Sequence, residues 1–324
     1  MLTSYCAAKG EAFCQRAFFA GLLSPPCLWL LCLAIRKLRT VAAIRLDSKP
    51  RGLKVVIQGS SRGLGLALAR QFLSLGDDVV ISSRDEAAVQ SCVQELQREF
   101  PGRRVVAAPA DAAQPAQVEA LAATAAQELG RIDVWVANAG LSASRKAPVA
   151  ETSAQELVGI VNANLTGALL AAKAALPRLA PGGKFFLVDG SGSNGRPTAG
   201  NAAYGATKRA LVQLKDSLAA EARGTGVGVH IFSPGMVATD LLLRYADNPR
   251  SARFINILAE DPAVVAKWLV PRLRGVKGSG CYIRFLTMAG VLWRFVTARK
   301  RRGRFVPEGP VGGYERLAGQ EARQ

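Results

Sequence analysis

The central part of the chain alternates between short apolar runs and longer segments in which apolar residues recur at helical spacing. The short runs are rich in β-branched residues and predict strands at 53–57, 79–81, 105–108, 132–136, 185–188 and 227–232. The longer segments predict helices at 66–75, 85–100, 116–129, 156–179 and 202–222. Because strand and helix alternate along 51–250 without a linker, we predict an α/β fold: one doubly wound, Rossmann-like domain with a parallel sheet.

The first 50 residues follow a different pattern. Residues 17–35 are 19 consecutive positions without a charge, long enough to span a bilayer. Pro25 and Pro26 would break a spanning helix. A transit peptide, a membrane anchor and a secretory signal all fit this composition. In each case residues 1–50 are predicted to lie outside the catalytic fold.

The C-terminal part also departs from the α/β pattern. Residues 281–296 mix aromatic and aliphatic side chains, and a basic cluster follows at 299–304. This arrangement is typical of an interfacial helix on anionic lipid, and equally of a last strand and helix followed by a solvated charge run. We predict substrate-side helices and a C-terminal extension over 251–305, and a tail over 306–324.

The net charge is concentrated at the two ends. Of the total of +18, residues 1–50 carry +5, residues 51–250 carry +4 and residues 251–324 carry +9. A nearly balanced centre argues against a nucleic-acid-binding core, whereas basic ends favour contact with an anionic surface. The six cysteines and the single His have no metal-ligand spacing, so we expect no metal site and free thiols in a reducing compartment.

A glycine-rich turn follows the first predicted strand. Gly59, Gly63 and Gly65 stand between that strand and the first helix. Glycines in this context let the backbone approach a pyrophosphate at a helix N-terminus, although a tight strand–helix turn also needs glycine.

The end of the second strand bears on which cofactor would bind. It reads Ser83-Arg84, without the acidic residue that would accept the ribose hydroxyl of NAD. Arg62 and Arg84 can instead pair with a 2′-phosphate, which favours NADPH. The alternative is that both are ordinary surface charges.

A tyrosine and a lysine stand one helical turn apart at Tyr204 and Lys208. A nearby cation lowers the pKa of a phenol, so Tyr204 is a candidate proton donor or acceptor near neutral pH. The alternative is a surface pair. Ser191 and Ser193 precede Tyr204 by thirteen and eleven residues.

Three further motifs fall at the carboxyl ends of predicted strands or on helices beside them. Asn138-Ala139-Gly140 follows the fourth strand, Asn164 lies on the next long helix, and 233–239 follows the sixth strand. Open α/β sheets bind ligands at this edge.

Together and in this order, these motifs resemble the short-chain dehydrogenase/reductase superfamily over residues 51–250. The resemblance implies that Tyr204 is the general acid/base, that Lys208 lowers its pKa and holds the nicotinamide ribose, and that Asn164 supports a proton-relay water. Either Ser191 or Ser193 would polarise the carbonyl. The implied NADPH-binding residues are Gly59, Ser61, Arg62, Gly63, Leu64, Gly65, Ser83, Arg84, Asp111, Asn138, Ala139, Gly140, Tyr204, Lys208, Pro234, Gly235, Val237 and Thr239. The family usually has Thr at the position of Gln58. Whether Gln58 makes the contact with the fourth strand that this Thr usually makes is therefore an open question.

A narrower resemblance, to plastid chlorophyll(ide) b reductases, rests on 189–198, 203–209, 233–242, 254–260 and 282–287. It implies NADPH-dependent reduction of the 7-formyl group of chlorophyll(ide) b to 7-hydroxymethyl, a step of chlorophyll b degradation. A chloroplast location at the thylakoid membrane and a homo- or hetero-oligomer with a related reductase are expected. This family's shared Ser lies at the Ser193 position, whereas the superfamily spacing favours Ser191. The alternatives are a reductase of 3-ketoacyl or 3-ketosphingoid substrates and a non-catalytic NADPH- or pigment-binding scaffold.

Overall fold

The computed structural model describes residues 43–307, and its centre is a parallel sheet. The strands are β1 (Lys54–Gln58), β2 (Asp78–Ser82), β3 (Val105–Ala107), β4 (Ile132–Ala137), β5 (Leu179–Val188), β6 (Gly228–Ser233), β7 (Met236–Val237), β8 (Ala259–Glu260) and β9 (Tyr282–Arg284). Seven of them form one sheet in the order β3-β2-β1-β4-β5-β6-β9, and β7 pairs with β8 in a second. Every pairing in both sheets is parallel.

Helices cover both faces of the large sheet. They are α1 (Gly63–Ser74), α2 (Glu86–Glu99), α3 (Pro115–Leu129), α4 (Ala154–Val161), α5 (Gly167–Ala175), α6 (Ala202–Glu221), α7 (Asp240–Leu243), α8 (Pro249–Leu258), α9 (Pro262–Gly275) and α10 (Met288–Val296). Val55 and Ile57 point to a core shared with α1, α2 and α9, whereas Val56 between them points to a core with α3, α5 and α6. Alternation along a strand thus builds two cores from one sheet. The predicted single-domain, doubly wound fold is confirmed.

The long helix predicted over 156–179 is divided and ends earlier. A π-helical turn at Asn162–Thr166 separates α4 from α5, and α5 ends at Ala175. Pro177 cannot donate the hydrogen bond that would continue the helix, and β5 begins two residues later. By length and composition alone, the described segment Ala154–Ala175 could cross a membrane, a test that buried core helices also pass.

The packed fold extends beyond 51–250 in both directions. Upstream, the Asp47 amide donates to the Pro271 carbonyl at 2.9 Å, and the Lys277 amide donates to the Ala43 carbonyl at 2.9 Å. Residues 43–50 therefore pack on the domain, although they fall within the predicted external segment. The apolar run 17–35 and residues 308–324 of the predicted tail lie outside the described residues.

The predicted extension contributes directly to the sheet and the core. β9 pairs with β6 as the seventh strand, and α9 packs against α1 in the core. One of the two interpretations of 281–296 is a last strand followed by a helix, and the structure has both, as β9 and α10.

A fully buried ion pair ties α9 to the start of β2. The Arg274 guanidinium donates to the Asp77 carboxylate, and both side chains are 0% exposed. Arg274→Leu is expected to lower the free energy of unfolding by about 3–5 kcal/mol, because the Asp77 charge would stay buried without its partner. Urea unfolding of wild type and variant measures this. Asp77→Asn combined with Arg274→Leu should recover most of the loss, and a cost below about 1 kcal/mol for the single variant would contradict the argument.

Candidate active site

A cavity of about 820 Å³ opens along the carboxyl ends of the strands, a size typical of ligand sites. All the predicted cofactor-binding residues line it, and so does Ser191. Asn164 and Ser193 are 2% and 8% exposed and lie behind the wall. The structure therefore brings the scattered motifs together, because their strands end at one edge of the sheet.

The glycine turn between β1 and α1 lies close to the loop after β4. Gly59 has a φ of +66°, and a Cβ there would stand 2.9 Å from the Ala139 Cα. A Cβ on Gly65 would collide with the Gly59 carbonyl. Among the described residues no side chain caps the N-terminus of α1, and its first residues, 63–65, line the cavity. Free amides, a helix N-terminus and no side-chain bulk together fit a pyrophosphate.

Two arginines stand at the end of the cavity where β1 and β2 finish. Arg62 is a largely exposed side chain that pairs with Asp240 at 3.4 Å, and Arg84 follows β2. Ser83 and Asp111 complete this end of the wall, and the Asp111 carboxylate accepts the Ala113 amide at 2.9 Å. Two cations beside the glycine turn fit a second phosphate group on the ligand.

Asn138 and Gln58 join the glycine turn to β4. The Asn138 Nδ2 donates to the Gly59 carbonyl at 2.8 Å and to the Gln58 carbonyl at 3.1 Å. The Gln58 Oε1 accepts the Trp135 Nε1 at 3.2 Å inside the core. The contact with the fourth strand that Gln58 left open is therefore made, with Trp135 as partner.

Tyr204 and Lys208 occupy the middle of the cavity wall on α6. The Lys208 Nζ lies 5.5 Å from the centroid of the Tyr204 ring and donates to the Val188 carbonyl at 3.0 Å. Burial lowers the pKa of Lys208 to about 8, and Asp189 opposes this shift, so the ammonium stays charged at pH 7.

The electrostatics of Tyr204 differ from the expectation of a lowered pKa. Burial raises the pKa of Tyr204 well above its usual value, and the charges of Asp189 and Tyr245 add to the increase. Desolvation of the phenolate is the largest cause of this increase. Tyr204 is therefore protonated at neutral pH, which is the state a proton donor must be in before it acts.

Asp189 is held in place by a residue that the motif analysis did not single out. The Tyr282 hydroxyl, on β9, donates to the Asp189 Oδ2, and the Gly190 amide donates to the Asp189 Oδ1 at 2.6 Å. Burial and Asp189 raise the pKa of Tyr282 to about 12, while a hydrogen bond with Ser193 lowers it. The segment 282–287 gave the only sequence signal for this contact.

The two candidate serines occupy different environments. Ser191 is exposed and lines the cavity. Ser193 is buried, and its carbonyl accepts the Arg209 Nη1 at 2.9 Å. Only the Ser191 hydroxyl is placed at the cavity surface.

Asn164 lies in the π-helical turn, and its amide group is fully engaged. Its Oδ1 accepts the Leu141 amide at 2.7 Å, and its Nδ2 donates to the Leu141 carbonyl at 2.9 Å and to the Thr207 Oγ1 at 3.0 Å. These bonds tie the loop after β4 to α6. π-Helical turns are frequent at functional sites.

A profile of the short chain dehydrogenase family matches residues 54–249, more than half of the chain. The chain belongs to the short-chain dehydrogenase family. The resemblance stated from the motifs is confirmed.

Known relatives of this short-chain dehydrogenase include plant reductases. It is 42% identical over 267 residues to the Arabidopsis thaliana protein "Chlorophyll(ide) b reductase NOL, chloroplastic". This alignment covers 78% of the present chain and 76% of the Arabidopsis protein. It is 39% identical over 304 residues to the Oryza sativa subsp. japonica NOL, covering 85% and 88%. Among solved structures, a Burkholderia cenocepacia short chain dehydrogenase in complex with NADP superposes with a TM-score of 0.63 at 27% identity, covering 74% and 97%.

The short-chain dehydrogenase also has a second half of the cavity, which the superfamily motifs did not reveal but which the segments 233–242 and 254–260 partly cover. Its wall combines apolar side chains with cations and hydroxyls, contributed by Ser142, Lys146, Leu241, Leu242, Arg244, Tyr245, Arg250, Phe254 and Ile255. The hydroxyls of Tyr245 and Ser142 lie 2.5 Å apart, and Asn201 donates to Ser142 at 2.9 Å. These residues come from loops and from α7 and α8, and four of them, Leu241, Leu242, Phe254 and Ile255, fall in the segments 233–242 and 254–260.

Proposed function

We propose that this chain reduces the 7-formyl group of chlorophyll(ide) b to a 7-hydroxymethyl group, a step of chlorophyll b degradation, with NADPH as reductant. The observation that carries the proposal is that Tyr204 and Lys208 line the same cavity as a partly apolar second half. The chain that contains this cavity is 42% identical to a chlorophyll(ide) b reductase. The phenol supplies a proton where a carbonyl would bind, and the apolar wall suits a large, flat pigment.

NADPH fits the first half of the cavity. The turn from Gly59 to Gly65 would hold the pyrophosphate against the amides of α1, and Arg62 and Arg84 would pair with the 2′-phosphate. Lys208 would hold the nicotinamide ribose. Solved relatives in complex with NADP and with NADPH share the fold at TM-scores of 0.63 and 0.62. When bound, NADPH supplies the hydride.

The chain's own residues would manage the proton and the carbonyl oxygen. Tyr204 is protonated at neutral pH and would donate that proton to the carbonyl oxygen. Ser191 hydrogen-bonds the same oxygen from the cavity surface. The Lys208 ammonium stabilises the phenolate that remains. Asn164 keeps the loop after β4 in register with α6 and so fixes the cavity wall.

Incubation of the full chain with NADPH and chlorophyllide b, followed by absorption and chromatography, tests the proposal. We expect conversion to the 7-hydroxymethyl pigment with matching NADPH consumption. Reduction of another carbonyl but not the pigment would leave a short-chain reductase of 3-ketoacyl or 3-ketosphingoid type. NADPH binding without turnover of any carbonyl would leave the scaffold alternative.

Removal of the cations at the 2′-phosphate end is expected to change cofactor preference. Arg84→Gln or Arg62→Gln should raise the KM for NADPH about 10–100-fold, since a charge-assisted hydrogen bond contributes about 1.5–3 kcal/mol. The KM for NADH should stay within about threefold. Arg104→Gln, which loses an exposed pair with Glu128 elsewhere, is the matched control. Equal effects on both cofactors would contradict the assignment.

We also propose a chloroplast location and an oligomer. The NOL relatives carry the word chloroplastic in their names.

Val158, Val161 and Leu169 on α4 and α5 are 39–56% exposed, which suits a contact with another copy or a related reductase. We propose in addition that the protein associates with the stromal face of the thylakoid membrane. Light scattering of Leu169→Glu against wild type tests the oligomer.

A further inference from the structure

The helix α10 presents large apolar side chains to solvent. Met288, Leu292, Trp293 and Val296 are 64–77% exposed, and Phe295 is 41% exposed. Met288, Leu292, Phe295 and Val296 follow helical spacing i, i+4, i+7, i+8, so they form one stripe, with Trp293 on its flank. We call these five residues the α10 face. A contiguous apolar face on a nine-residue helix indicates an interaction surface.

The same helix turns its arginine inward. The Arg294 side chain is 12% exposed and donates to the Glu260 carboxylate at 3.0 Å and to the Leu258 carbonyl at 2.5 Å. Arg301 and Arg304 bind the same carboxylate. These ion pairs lock α10 in an orientation opposite to that of an ordinary surface helix, which would bury apolar residues and expose arginine.

The α10 face is continuous with the second half of the cavity. The Phe295 ring packs edge-on against Phe254 with 6.0 Å between centroids, and Phe254 lines the cavity. Phe254 is itself 42% exposed. An apolar surface thus leads from the outside of α10 to the cavity wall.

The surroundings of the α10 face are basic. Between Asp261 and Glu308 the sequence has eleven Lys and Arg residues and no acidic residue. Arg299 and Lys300, directly after α10, are exposed, as is Arg253 beside Phe254. Apolar side chains flanked by cations match an anionic lipid surface in both chemistry and charge.

We propose that the α10 face docks on an anionic lipid bilayer, with its apolar side chains at the headgroup–acyl boundary and the following cations among the headgroups. Docking in this way holds the second half of the cavity at the membrane surface. A lipophilic substrate then reaches the cavity along Phe295 and Phe254 without crossing water. This inference deepens the proposed membrane association by naming the surface that makes it; its substrate part also rests on the proposed pigment reduction, whereas the docking does not.

Vesicle binding of the full chain tests the docking without pigment. We expect sedimentation with vesicles containing phosphatidylglycerol to exceed that with neutral phosphatidylcholine vesicles, and to fall with salt. Leu292→Ala combined with Trp293→Ala should weaken binding to anionic vesicles at least about tenfold. The matched control is Leu46→Ala combined with Val264→Ala, two exposed apolar residues outside α10 and outside the proposed oligomer contact, which should bind as wild type does.

A site-specific measurement separates α10 from any contribution of the N-terminal segment. Lipids brominated near the headgroup should quench part of the tryptophan fluorescence of the full chain. Trp293→Phe should remove that quenched part, whereas Trp29 is present in both proteins. Turnover of detergent-dispersed chlorophyllide b should stay unchanged in the Leu292→Ala, Trp293→Ala variant, while turnover of vesicle-embedded pigment should fall.

Two results would overturn the proposal. One is unchanged vesicle binding of the double variant together with unchanged quenching of Trp293→Phe. The other is a concentration-dependent dimer that the double variant abolishes, which would make the α10 face a protein contact. Absence of pigment turnover with intact vesicle binding would instead refute only the proposed function.

Discussion

Tyr204→Phe is expected to lower kcat at least about 10³-fold, because the variant removes the proposed proton donor while keeping the ring. Tyr204 is buried, and its phenol holds its proton at neutral pH, so the hydroxyl is in the donor form when the carbonyl binds. The pKa of Lys208 is about 8, and its ammonium, 5.5 Å from the ring centroid, would stabilise the phenolate left behind. Stopped-flow single-turnover measurement of NADPH oxidation at saturating substrate isolates this step from product release.

Tyr245→Phe is the matched control for that variant. Tyr245 is a second phenol in the same cavity, bonded to Ser142 and to the Ala143 carbonyl at 2.5 Å each. Its loss should alter the KM of the substrate more than kcat, because the hydroxyl organises the wall. Wild type and Tyr204→Phe should bind NADPH equally well, so that the loss of kcat in Tyr204→Phe reflects the missing hydroxyl and not a weaker cofactor site. Retention of more than about a tenth of wild-type kcat in Tyr204→Phe, or an equal loss in Tyr245→Phe, would contradict the assignment.

The parts of the fold that the sequence predicted are those determined by local patterns. β1 and β2 are short β-branched runs next to helices with a clear period, and the glycine turn is defined by the space its backbone needs. All the predicted cofactor-binding residues line one cavity, because parallel strands bring their carboxyl ends to one edge. Their roles toward NADPH stay predictions.

The parts that the sequence left open depend on contacts between distant residues. β9 is three residues long, and only its pairing with β6 identifies it as the seventh strand rather than as part of an amphipathic segment. Tyr282 reaches Asp189 across 93 positions of the chain, so no local spacing could indicate that bond. Burial likewise decided the direction of the Tyr204 pKa, which the Tyr-x3-Lys spacing alone predicted with the opposite sign.

The two serines before Tyr204 offer the sharpest discrimination within the site. Ser191→Ala is expected to lower kcat about 10²–10³-fold, the loss typical of one hydrogen-bond donor to a developing oxyanion. The Ser191 side chain is exposed and lines the same cavity as Tyr204. Single-turnover kinetics with the same substrate measure the effect.

Ser193→Ala is the natural comparison, since it removes the same group two residues away. The Ser193 hydroxyl contacts Tyr282, which in turn binds Asp189, so its loss acts on the support of the site. We expect the kcat of Ser193→Ala to stay within about fivefold of wild type. The main effect of this variant should be a lower free energy of unfolding. The opposite order, a large loss for Ser193→Ala and a small one for Ser191→Ala, would mean that the loop 189–195 rearranges when substrate binds and turns Ser193 toward the carbonyl. The pair of variants therefore decides between the two serines, because each assignment predicts a loss where the other predicts none.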